Sequence, residues 1–112
     1  MTTNQRILAI SAWIDAAPDN QHRDPEAQLF GRVAKVAEES GEAIAALIGA
    51  LGHNARKGRH GTLDDVEREL LDVALAALAA VAHLRAAAPH PVDVLDLLAD
   101  HVEQVADRVG LT

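Results

Sequence analysis

Thirteen residues from Leu70 to Ala82, "LLDVALAALAAVA", contain a single polar side chain, Asp72. A helix apolar on every side is normally buried all round. A carboxylate in such a stretch is costly unless it pairs or binds a metal. Glu69 lies three residues earlier, on the adjacent turn, but it is also an acid and cannot satisfy Asp72. A second stretch has the same design: after Glu42 comes "AIAALIGAL", Ala43 to Leu51, with no polar side chain. Each apolar run therefore carries an acidic pair of i,i+3 spacing at its edge, Glu39 with Glu42 and Glu69 with Asp72. Glu38 and Glu42 add an i,i+4 like-charge pair, which costs roughly 0.2–0.5 kcal/mol on a helix. In an antiparallel hairpin the two pairs face each other, and four carboxylates together require cations. Carboxylate oxygens with room for water suit Mg²⁺ or Mn²⁺. The alternatives are that each pair is a solvated face, or that Lys35 or Arg68 supplies an ion pair.

The 112 residues suit one domain, 1–112, and are 49% hydrophobic but 2% aromatic. Ala and Leu carry that apolar content, which favours helices and is ample for a core. The net charge of −7 argues against a nucleic-acid backbone as the partner, because that binding needs clustered Lys and Arg. A small anionic substrate would need a metal or a local basic patch. No apolar run reaches a membrane span. The start "MTTNQRILAI" has no signal-peptide pattern, and there is no cysteine. A cytoplasmic location is the expectation.

Proline and glycine divide the chain into four expected helices. The first runs from about Asn4 to Ala17, before Pro18. The second opens with Asp24 as N-cap and Pro25 at its first position, and ends near Leu51 with Gly52 as C-terminal cap. The third starts behind Thr62 and ends near Ala88, before Pro89. The fourth runs from about Val92 to Val109, with a packing stripe of Leu95, Leu98, Val102, Val105 and Val109. The expected fold class is all-α, a small four-helix bundle.

"EESGE" followed by "ELLD" resembles the E-E-x-x-E … E-x-x-D signature of the MazG-like all-α nucleoside triphosphate pyrophosphohydrolases. The 26 residues between Glu42 and Glu69 fit that signature's variable gap. The resemblance covers about half the chain, and "ARKG" with "TLDDVERELLDVALAALAA" looks like the actinobacterial MazG-like branch. It implies Mg²⁺ held by Glu39, Glu42, Glu69 and Asp72. It also implies hydrolysis of deoxy or non-standard nucleoside triphosphates to monophosphate and pyrophosphate. Glu38 is the spare acid: a ligand for a second metal, a general base, or a solvated side chain. Family members are dimers or tetramers with the site near the interface, so a homo-oligomer is implied, a dimer first.

The loop "GHNARKGRHG" carries the densest basic patch, Arg56, Lys57 and Arg59, with His53 and His60 near. These cations either clamp the triphosphate or only solvate a loop. Asn54 donates to phosphate or shapes the turn. Trp13 and Phe30 are the large aromatics, and either can stack on a base. Trp13 lies beside Ile7, Ile10 and Ile14, which makes packing its first expectation. No E-x-x-H is present, against a ferritin-like di-iron bundle. Walker loops, dinucleotide fingerprints and nucleophile elbows are absent. A non-catalytic helical oligomer that binds a nucleotide or a protein partner is the competing function.

Overall fold

Each helix begins where a short polar side chain takes up hydrogen bonds that its first turn leaves open. Thr2 and Gln5 form a reciprocal capping box, with Gln5 N donating to Thr2 Oγ1 (3.1 Å) and Thr2 N to Gln5 Oε1 (2.8 Å). Asp24 Oδ1 accepts from Ala27 N at 2.9 Å. Thr62 N donates to Asp65 Oδ2 at 2.8 Å. Asp93 Oδ1 accepts from Leu95 N (2.9 Å) and Asp96 N (3.1 Å). The computed structural model describes residues 1–111. The helices are α1 (Thr3–Ala16), α2 (Pro25–Leu51), α3 (Leu63–Arg85) and α4 (Val94–Arg108), with no strand among the described residues.

The second helix runs as its punctuation predicts. Gly52 closes it at φ 71°, with its N–H bonded to Gly49 O. That left-handed conformation is one L-residues avoid. The third helix stops at Arg85, three residues short of the expected Ala88. Ala86 and Ala88 donate instead to His83 O and Arg85 O in tight turns, and Ala88 precedes Pro89, which disfavours helical geometry. The fourth starts two residues later than expected, because Asp93 is its cap.

Helices α2 and α3 pack along their length as an antiparallel hairpin, and α1 lies across α3. The small core joins Ile7, Ala82 and Val94, with Leu8, Leu78, Val81, Val92 and Leu95 around it. Asn4 pins the start of α4, accepting from Val94 N at 2.8 Å. A polar junction ties three helices together. The buried Arg32 guanidinium donates to Ser11 O, Ser11 Oγ and Ala79 O, and pairs with Asp15 at 3.0 Å. Asp15 in turn meets His83 Nδ1 at 2.9 Å. Burial pushes the Asp15 carboxyl up, but the His83 bond and then Arg32 outweigh it and hold the pKa below the ordinary aspartate value.

The expectation that α3 is buried all round fails. Leu70 and Leu71 are 56% and 63% exposed, and Asp72 is itself exposed. The reason is arithmetic of surface. Four helices of this length do not close over α3, since α4 makes little contact with it, Val94 and Leu95 joining Leu78, Val81 and Ala82 in the small core. The radius of gyration is 17.0 Å, against about 13 Å for a compact domain of this length. The accessible surface is 8131 Å², against about 6,000 Å² for a closed monomer of this mass.

Candidate metal centre

The acidic residues come from the middle of the α2–α3 hairpin. Each i,i+3 pair spans about 300° of a helical turn, so both members can lie on one side of the hairpin. Glu39, Glu69 and Asp72 each offer a carboxylate oxygen, and these lie within 4.8 Å of one another. Glu39 Oε2 and Glu69 Oε2 are buried without a hydrogen-bond partner. Buried carboxylate oxygens are normally satisfied, so an unpartnered oxygen on each of two acids of one cluster marks a site suited to a cation. Asp72 forms the open rim.

Glu42 is exposed beside this triad rather than within it. Its pKa is raised, chiefly by the negative charge of the neighbouring Glu39 carboxylate, with Glu69 and Glu38 adding to it. Glu38 is mostly exposed and points to Lys35 at 3.4 Å. Lys35 also meets Glu39 Oε1 at 3.2 Å, and that hydrogen bond raises its own pKa. Glu39 therefore divides its oxygens, one toward a lysine and one toward the other acids. Of the two cations weighed as ion-pair partners, Lys35 pairs with the cluster. Arg68 turns to Asp65 at 3.2 Å instead.

Arg56, Lys57 and Arg59 sit at the far end of the hairpin. Glu69 is six residues from the start of α3, about 9 Å of helix. Glu42 is nine residues from the end of α2, about 13 Å. One chain does not bring these cations onto the acids. Asn54 shapes the turn, its Oδ1 accepting from Arg56 N (3.1 Å) and Lys57 N (3.2 Å). His60 packs on Gly49, where an added Cβ would lie 2.7 Å from its ring.

Trp13 does not pack into the isoleucine stripe. It is 74% exposed and lines a cleft of about 350 Å³ with Arg23, Arg32 and Lys35. Packing was the first expectation, but α1 is a lone helix on one face of α3. Ile7 takes the core, and nothing covers the turn that carries Trp13. Spacing did not point to Arg23 or to the Arg32–Asp15–His83 junction, whose members are 17 and 68 residues apart. The one local hint was an arginine set between apolar neighbours, the "GRVA" of Gly31 to Ala34.

Among the described residues no helix is long and apolar enough to cross a membrane. The chain matches no family model, no curated protein and no solved structure, so the resemblance to the MazG-like pyrophosphohydrolases stands on the acidic signature alone.

Proposed function

We propose that this protein is a Mg²⁺-dependent nucleoside triphosphate pyrophosphohydrolase that works as a homodimer. The observation that carries the proposal is the approach of Glu39, Glu69 and Asp72, one carboxylate oxygen from each within 4.8 Å, in a place where Glu39 and Glu69 each also keep one buried oxygen without a partner. Three anions at that separation hold together best around a hard divalent cation, and an exposed rim leaves room for water and phosphate oxygens. Mn²⁺ fits the same donors. Bound there, the metal supplies charge neutralisation for a polyphosphate and a lowered pKa for coordinated water.

The chain's own groups do the rest. Glu39, Glu69 and Asp72 are the ligands. Water adds to the α-phosphorus, the α–β anhydride bond breaks, and nucleoside monophosphate and pyrophosphate leave. Glu42, exposed beside that triad, is placed to take the proton of that water. Lys35 stands between Glu38 and Glu39 and faces incoming phosphate. It takes the clamping role first expected of Arg56, Lys57 and Arg59. Glu38 tunes Lys35 and stays in solvent.

Exposed apolar surface supports the dimer. The outer side of α2 shows Phe30, Val33, Ala37, Ser40, Ile44, Leu47 and Leu51, at alternating steps of three and four. This is a coiled-coil seam. Phe30, Val33, Ile44, Leu47 and Leu51 on it are exposed, and Ser40 donates to its own helix at Val36 O (2.9 Å). Ile44 and Leu47 join Leu70 of α3 around an apolar groove of about 300 Å³. The surface in excess of a closed monomer, about 2,000 Å², is what an obligate interface removes.

The test is pyrophosphate release from a panel of canonical, deoxy and modified nucleoside triphosphates with Mg²⁺, with Asp72→Asn beside the wild type. Release from at least one substrate, lost in Asp72→Asn, is expected. The distance between the basic loop and the acids favours a second reading, a non-catalytic nucleotide-binding oligomer. That reading expects Mg²⁺ to raise the melting temperature with no turnover of any substrate.

A further inference from the structure

We infer that the cleft between α1 and the start of α2 is a nucleobase site that selects 6-oxopurines, with Trp13 as the stacking face and Arg23 as the reader of the base edge. The inference rests on the pyrophosphohydrolase proposal for the ligand's being a nucleotide, and on the cleft itself for the choice of base.

The cleft measures about 350 Å³, and Trp13 in its wall is 74% exposed. A large, flat apolar face left in solvent beside a concavity is what a planar ring system covers. Arg32 closes the back, and its guanidinium is fully engaged by Ser11, Asp15 and Ala79. It is wall, not reader. Arg23 is exposed and makes no ion pair or side-chain hydrogen bond among the described residues. Its Nη1 lies over Gly31, 3.6 Å from where a Cβ would stand.

A free guanidinium offers a fork of donors and no acceptor. The O6 and N7 atoms of guanine or hypoxanthine present two adjacent acceptors to such a fork. Adenine places an amino donor at the same position and is repelled. Bicyclic purines also cover an indole more fully than pyrimidines do. Position agrees with the acid cluster. Gly31 in the cleft precedes Glu39 by eight residues of α2, about 12 Å, which is the reach from a base to its outer phosphates. Lys35 lines the cleft and also pairs with Glu39, so it joins the two regions midway.

Trp13 is the only tryptophan, so intrinsic fluorescence reports on the cleft alone. The test titrates the full chain, in EDTA, with guanosine, inosine, adenosine and cytidine 5′-monophosphates and with inorganic phosphate. The expected result is saturable quenching, with the 6-oxopurines bound about tenfold more tightly than adenosine monophosphate. Arg23→Lys keeps the charge but loses the fork, so quenching persists while that preference disappears. Absence of saturable quenching, an equal or better response to adenosine monophosphate, or full displacement by inorganic phosphate overturns the inference. Base binding without pyrophosphate release would fail the catalytic proposal alone. Release with no base preference, and none altered in Arg23→Lys, would fail this inference alone.

Discussion

Replacing Glu69 by glutamine should stabilise the metal-free protein and abolish its response to Mg²⁺. The carboxylate oxygens of Glu39, Glu69 and Asp72 lie within 4.8 Å of one another. Two unit charges at that distance repel by about 0.9 kcal/mol at the dielectric of water and about 3.5 kcal/mol at an effective value of 20. Glu69 has one oxygen enclosed and unpartnered, and Asp72 opens to solvent, so the effective environment lies between these limits. Glutamine keeps the shape, removes one charge, and offers a donor to the orphan Glu39 Oε2. A net gain of about 2 kcal/mol is expected, which for 112 residues raises the melting temperature by about 8 °C. In Mg²⁺ the order reverses. The wild type gains about 2.7 kcal/mol when the ion stands at a hundred times its dissociation constant, while the variant, short of a ligand, gains little. Thermal melts by circular dichroism in EDTA and in a Mg²⁺ series read both effects at one protein concentration. A variant that melts below wild type in EDTA would refute the claim that the acids are mutually strained. Equal Mg²⁺ shifts in both proteins would refute the claim that they form the cation site.

Other outcomes follow from the same coordinates. Asp15→Asn leaves buried Arg32 with only neutral partners and should cost about 2 kcal/mol in urea unfolding. Because the folded-state pKa of Asp15 is lowered, its contribution is present above the ordinary aspartate pKa and lost as pH falls through the lowered value; Asp15→Asn should therefore flatten the acid limb of the stability profile. Glu42 has the opposite sign. Its raised pKa means stability falls as pH rises through the region just above the ordinary glutamate value, and Glu42→Gln should remove that decline. Ile44→Asp with Leu47→Asp places two charges in the α2 seam. The wild type should run as a dimer and the variant as a monomer in light scattering at micromolar concentration, and a monomeric wild type would sink the interface. Gly49→Ala sets a Cβ against His60 and should cost about 1–3 kcal/mol, read by the same melts.

The acidic positions were legible because helical spacing is local. Two acids three apart and an apolar continuation suffice to place a pair on one side of a helix, and the hairpin then brings Glu39, Glu69 and Asp72 together. The same reasoning overreached for Glu42, which stands beside the triad. It also overreached for the basic loop: Arg56, Lys57 and Arg59 are near the acids in chain order but at the end of two long rods. Trp13 and Arg23 were misjudged or missed because a stripe of isoleucines says which face is apolar, not whether anything covers it.

By itself, the sequence determined where the helices start and stop. Thr2, Asp24, Thr62 and Asp93 at the N-termini and Gly52 at the end of α2 act within about four residues, through hydrogen bonds the chain makes with its nearest neighbours. Burial was decided only by the tertiary structure, because burial depends on which surface arrives from elsewhere. The thirteen residues from Leu70 to Ala82 demand cover, but α4 makes little contact with α3, and Leu70 and Leu71 stay exposed, so much of that demand stays unmet within one chain. The same openness sets Asp72 at a rim rather than in a core, turns Trp13 outward to a cleft, and leaves the apolar residues Phe30, Val33 and Ile44 of α2 exposed.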